Sequence, residues 1–148
     1  MIRGVNVKIN KVVHLGQTFV NERLKEFGLS SGLFYFILEL ADQEYMTMQD
    51  LSRAVKVDNG YTTRIINKLV ECEYVRKSLN PKDSRSSIVF LTAEGRLVSE
   101  TVKQVMLDWV NIITKEVSTK DIEIVNAVFD MFYTNAKNYF DEELHDAN

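Results

Sequence analysis

A chain of 148 residues, 45% apolar and 26% charged, has the balance of one folded globular domain, which excludes a disordered or collagen-like polymer. No apolar run approaches the roughly 20 residues of a membrane-spanning helix, and the start MIRGVNVKINKVVHLG lacks a signal peptide's apolar segment and cleavage site, so a cytoplasmic protein without a membrane partner is expected. The net charge of −3 argues against a polyanionic partner until its distribution is considered: residues 51–87 hold eight basic and four acidic side chains, a net of +4, which leaves −7 elsewhere.

Taken in chain order, Ile9, Val12, Val13, Gly16, Phe19, Val20, Leu24 and Phe27 recur at three- and four-residue spacing and predict a helix over 5–27, stopped by Gly28. A shorter helix over about 32–42 is apolar nearly all round, as a helix in mid-core would be. Thr47, with Asp50 three residues on, resembles a capping box opening a third helix that ends near Val57. Asp58 then caps a fourth over 59–72. Two helices joined so tightly make a helix-turn-helix candidate.

At about 100° per residue, Thr62, Ile65, Ile66 and Leu69 fall on one side of the fourth helix, which is expected to be buried. The other side carries Gly60, Thr63, Arg64 and Asn67, flanked by Asn59 and Lys68. Such a face suits a DNA major groove: Gly60 permits close approach, Arg64 can contact guanine bidentately and Asn67 can pair with adenine. An ordinary solvated face has a similar composition, so this helix alone does not decide the matter.

The next segment of chain adds weight. Residues 74–79 and 87–91 read as paired strands, joined at Asn80-Pro81-Lys82-Asp83 by a type I turn, with the chain's one proline presetting φ at its second position. A hairpin directly after such a helix is a wing. Its tip carries Lys82, suited to a phosphate, and Arg85, which can enter a narrow minor groove; Asp83 is placed to orient that guanidinium. Thr92 caps a long helix over 93–117 with Val98, Val102, Val105, Met106, Trp109, Ile112 and Ile113 on its apolar side, and a last helix, rich in Phe and Tyr, runs from Ser118 to about residue 144. The terminal helices have apolar faces that need a partner, and a two-fold partner would place two reading heads on one duplex.

The helix order, the run LSRAVKVDNGYTTRIINKLVECEYVRK and the wing NPKDSRSSIVFLTAEG together resemble the MarR (multiple antibiotic resistance regulator) family of winged-helix repressors over nearly the whole chain. The resemblance implies a mostly α fold with a small β-hairpin: a winged helix-turn-helix over 32–92, with N- and C-terminal dimerisation helices over 5–27 and 93–145. It also implies a homodimer on a palindromic double-stranded DNA operator, released by a small aromatic or phenolic ligand. Thr63 and Arg64 match positions of the family's recognition helix, while Asp83 and Arg85 match the outer members of its Asp-Arg-Arg wing motif. Ser84 replaces the middle arginine, and Glu73 replaces the glycine usual after the recognition helix. If that backbone is left-handed, a residue other than glycine costs about 1 kcal/mol there.

Other residues carry weaker signals. Cys72, the one cysteine, lies near the buried side of its helix and reads as an inert core thiol. His14 and His145, on the two terminal helices, have no further His or Cys beside them, so no metal and no cofactor is expected. An enzyme would need a Gly-rich phosphate loop, a metal-ligand spacing or a nucleophile with a histidine base, and the sequence assembles none of these. The remaining rival is a winged-helix protein-interaction module that has lost specific DNA binding, for which Ser84 is the best support.

Overall fold

The computed structural model describes residues 2–30 and 32–146, and their side chains except at 2, 3, 5 and 142–146. It divides into two compact units, Met1–Trp109 and Val110–Asn148.

The first unit begins with α1 (Ile2–Leu24), which tightens into a 3₁₀ turn over Lys25–Phe27. Gly28 ends it at φ 70°, a left-handed conformation that glycine adopts without steric cost. Of the expected apolar face, Gly16, Val20 and Leu24 are buried, whereas Val12 and Val13 stay exposed. The helix α2 (Leu33–Ala41) buries Leu33, Phe34, Phe36, Ile37 and Leu40, which explains why its sequence is apolar on nearly every side. Each such side chain contributes roughly 1.5–3 kcal/mol through burial.

Two short helices come next. Thr47 accepts the Asp50 N–H at 3.1 Å and caps α3 (Met48–Val55); Asp58 accepts the Tyr61 N–H at 2.8 Å and caps α4 (Asn59–Glu71). Such caps are worth about 1 kcal/mol each. The buried residues of α4 are Thr62, Ile65, Ile66 and Leu69, the four that helical periodicity selects.

Its C-terminus departs from simple capping chemistry. Glu73 sits at φ 64°, its N–H donates to the Val70 carbonyl, and the Tyr74 N–H donates to the Leu69 carbonyl at 3.0 Å. This is the left-handed helix end that usually recruits glycine. The glutamate therefore takes up the strained backbone and does not redirect the chain, because the flanking hydrogen bonds and the buried Val75 fix the exit. Glu73→Gly is expected to raise unfolding stability by about 1 kcal/mol, measured by urea denaturation.

The hairpin is β2 (Val75–Asn80) and β3 (Asp83–Leu91), longer toward its tip than the sequence suggests. A third strand, β1 (Met46–Thr47), pairs with β3 through Met46↔Val89 and Thr47↔Ile88, giving the antiparallel order β1-β3-β2. Only two residues long, it has no alternation of its own to reveal it. The fold is mostly helical with this small sheet, a winged helix-turn-helix.

Thr92 accepts the Gly95 N–H at 2.9 Å and caps α5 (Ala93–Ile113). The same threonine ties α5 to the end of α4: its hydroxyl donates to the Glu73 carbonyl at 2.7 Å and its N–H to the Tyr74 carbonyl at 3.0 Å. Gly95 lies against that joint, where an added Cβ would fall 2.0 Å from the Tyr74 carbonyl oxygen. Val98, Val102 and Val105 of α5 enter the core, and Gly16 allows α1 to approach Trp109.

In the second unit, α5 ends at Ile113, before the expected residue 117, and Glu116 turns the chain at φ 66°. Ser118 accepts the Asp121 N–H at the start of α6 (Thr119–Asp146). Ile112, Ile113, Phe129, Phe132, Tyr139 and Phe140 are all exposed on this chain. No helix among the described residues is long and apolar enough to cross a membrane.

Candidate nucleic-acid interface

The helix-turn-helix is joined by a buried polar cluster as well as by apolar packing. The Ser52 hydroxyl of α3 lies 2.8 Å from both Thr62 Oγ1 and Asn59 Oδ1 of α4, and Thr62 in turn donates to the Asp58 carbonyl at 3.0 Å. Ser52 and Thr62 are buried, so these hydroxyls would be costly to leave unpaired. The turn between the helices is equally constrained: Lys56 takes φ 59°, and the Val57 N–H donates to the Ser52 carbonyl at 3.1 Å.

This fixes how α4 is presented. Asn59, Gly60, Thr63, Arg64, Asn67 and Lys68 are all exposed. They do not share one state, however. The Asn59 carboxamide is engaged with Ser52 and serves the turn. Gly60 leaves room for the capping carboxylate, since a Cβ there would lie 3.1 Å from Asp58 Oδ1. Thr63 donates its hydroxyl proton to the Asn59 carbonyl at 2.9 Å. Arg64 holds its guanidinium 5.5 Å from the centre of the Tyr61 ring. Tyr61 stands between that cation and Phe36, whose ring is 6.3 Å away, and so links the exposed face to the core. Asn67 receives a 2.5 Å hydrogen bond from the Lys77 ammonium of β2.

The wing tip is held by its own side chains. Asn80 Oδ1 accepts the Lys82 N–H at 2.9 Å, Asn80 Nδ2 donates to Ser86 Oγ at 2.9 Å, and Ser86 Oγ donates to the Asp83 carbonyl at 3.1 Å. Asp83 behaves differently from expectation: its carboxylate accepts the Arg85 backbone N–H at 3.0 Å instead of the guanidinium. A carboxylate two residues upstream on a tight turn reaches the main chain first. Its role is to shape the wing, and the Arg85 guanidinium is left unrestrained.

Among the described residues, Arg64, Lys68, Lys77, Lys82 and Arg85 have no carboxylate within 4 Å. Exposed cations without counterions, three of them on a thin hairpin, can attract and track a phosphate backbone. Sequence reasoning missed Ser52, Tyr61 and Lys77. For Lys77 the signal was present: the period of two from buried Val75 turns it to the inner face of the strand.

Behind the interface, Tyr74 donates its hydroxyl to the Phe27 carbonyl at 3.0 Å, and burial, with help from Cys72 and Glu94, raises its phenol above the ordinary value of 10.0. Cys72 is a half-buried thiol, its sulfur 3.5 Å from where a Cβ on Gly28 would lie. His14 is exposed on α1, and the side chain of His145 lies outside the described residues. No group of three or more His, Cys, Asp or Glu among the described residues could hold a metal ion.

Residues 29–87, the stretch from the core entrance to the wing, match the profile of the MarR family. The HTH-type transcriptional regulator BilQ of Clostridioides difficile strain CD3 is 33% identical over 95 residues, 64% of this chain and 64% of that protein. BilQ of Clostridium symbiosum is 29% identical over 91 residues, so the chain spans just under two thirds of the length of both, 64% and 63%. Among solved structures, a MarR transcriptional regulator from Methanosarcina mazei Go1 is similar with a TM-score of 0.81 at 29% identity, covering 91% of this chain and 98% of that one. A mutant MarR from E. coli complexed with operator DNA shares the fold with a TM-score of 0.78 at 23% identity, covering 88% and 94%. The helix-turn-helix and wing thus match the MarR family profile, and nearly the whole chain is similar in fold to a solved MarR transcriptional regulator.

Proposed function

We propose that this chain is a cytoplasmic, sequence-specific double-stranded DNA-binding transcriptional regulator, acting as a homodimer on a palindromic operator, and a repressor released by a small aromatic or phenolic ligand. The observation that carries the reading is the pairing of an exposed, carboxylate-free face on α4 with an unpaired arginine on the wing beside it. Arg64, Thr63 and Asn67 address the major groove, Lys68 and Lys82 hold phosphates, and Arg85 enters the minor groove. The reading is of a binding protein, with no catalytic step.

Dimerisation has its own support. Val12 and Val13 on α1, and Phe129, Phe132 and Phe140 on α6, are large apolar side chains left exposed on the isolated chain. Exposed apolar surface of this kind marks a protein interface. The two regions are the proposed dimerisation helices, 5–27 and 93–145, with 32–92 as the DNA-binding part.

The test is fluorescence anisotropy of the purified protein on the DNA upstream of its own gene and on a scrambled duplex of equal length, across a salt series. A specific reader is expected to prefer the upstream DNA by about a thousandfold or more, with log K falling linearly against log salt. Equal, weak binding that vanishes at physiological salt, repeated with DNA selected from random pools, would move the assignment to a protein-interaction module. Ser84, a small neutral residue at the exposed wing tip, is the feature that favours this second reading.

A further inference from the structure

We infer that Lys77 is a positioning residue that sets the base preference of Asn67, turning it from an adenine reader into a guanine reader. The inference rests on the duplex-reading function proposed above and deepens it.

The strand sets the geometry. Val75 and Lys77 alternate onto the same face of β2, and the cross-strand partners on that face, Leu91 and Val89, are buried. Lys77 therefore leans inward toward α4, while its neighbour Arg76 takes the outer face opposite Phe90. Its ammonium arrives 2.5 Å from Asn67 Oδ1. An ammonium has three donors and no lone pair, so the atom it faces must be the amide oxygen and not the nitrogen. The orientation of Asn67 is thus decided by chemistry.

An asparagine reads adenine by using both ends of its amide: the oxygen accepts from N6 and the nitrogen donates to N7. In this chain the oxygen is turned toward β2 and sits beside a full positive charge. The end left to project is the NH₂, which can only donate. Adenine offers a donor, N6–H₂, where guanine offers the acceptor O6, and both offer N7. A donor-only asparagine matches guanine and clashes with the adenine amino group. Arg64, one turn earlier on the same exposed face, also only donates, so α4 is matched over this stretch to acceptor-rich base edges.

The experiment is selection of duplexes from a random pool by the wild type, Lys77→Met, Lys77→Arg and Asn67→Ala, followed by affinity measurements on the enriched half-site with guanine or adenine at the position assigned to Asn67. That position is the one whose preference Asn67→Ala removes. The wild type and Lys77→Arg, which retains a cationic donor, are expected to prefer guanine by about tenfold. Lys77→Met is expected to lose that preference or reverse it toward adenine, with the rest of the half-site unchanged. Were Lys77 only a charge that attracts phosphate, its removal would lower affinity for all sequences alike and leave the guanine-to-adenine ratio untouched. If the wild type selects a defined half-site but prefers adenine there, or if Lys77→Met leaves the ratio as it was, the positioning role is overturned while the DNA-reading function stands. If the wild type enriches no sequence at all, that function fails and the inference fails with it.

Discussion

Gly95→Ala is expected to destabilise the protein by at least about 3 kcal/mol, near the upper end of what overpacking a well-filled site costs. The added methyl would fall 2.0 Å from the Tyr74 carbonyl oxygen and 2.9 Å from its carbonyl carbon. These are backbone atoms, and they cannot swing aside as a side chain would. The same carbonyl accepts the Thr92 N–H, so any shift also loosens the cap of α5. For a chain of this size the loss corresponds to a fall in melting temperature of roughly 10 °C, measured by thermal unfolding followed by circular dichroism. Gly4→Ala is the control. Nothing lies within 4 Å of a Cβ at Gly4, which is exposed on α1, so that change should stabilise slightly through helix propensity. Equal effects at both sites would show that the joint between α4 and α5 is looser than its geometry implies.

Arg64→Ala and Arg85→Ala should each weaken specific DNA binding by about 1–3 kcal/mol, and the double variant by close to the sum. The two losses should differ in kind. On the proposed function, removing Arg64 relaxes the preference at one base pair, because its guanidinium on the exposed face of α4 would read a base edge. Removing Arg85 lowers affinity wherever the minor groove is narrow and makes log K less steep against log salt. Neither should change folding by more than about 1 kcal/mol, since both side chains are exposed and Arg64 forfeits only its contact with the Tyr61 ring. Competition anisotropy with single-base operator variants separates these outcomes. If both variants bind as the wild type does, the duplex is not read through this face.

The parts of the molecule that sequence made legible are those fixed by local periodicity. Helical spacing selected the buried side of α4, and capping chemistry located the starts of α3, α4, α5 and α6 at Thr47, Asp58, Thr92 and Ser118. Features decided by distant residues were not legible. The strand β1 exists because Ile88 and Val89 present a free edge to Met46 and Thr47, more than 40 residues away. The end of α5 was placed late because Val117 continues the apolar pattern, whereas Glu116 adopts a left-handed backbone that no pattern announces. The candidate site divided in the same way. Which side chains of α4 face outward was readable from the helix alone. That Asn59 and Asn67 are already engaged, by Ser52 and by Lys77, depends on what α3 and β2 bring alongside. At Asp83 the residue type matches the motif, while the bond that one of its carboxylate oxygens accepts from the Arg85 N–H depends on the local shape of the wing.

The buried hydroxyls of Ser52 and Thr62 bear on time as well as on shape. Because they hold α3 against α4 in the free chain, the pair would have little conformational freedom left to lose on binding the duplex of the proposed function. Encounter rates should then be set by charge and diffusion, and should hardly distinguish one duplex from another. Discrimination between an operator and other DNA would lie in how long the protein stays.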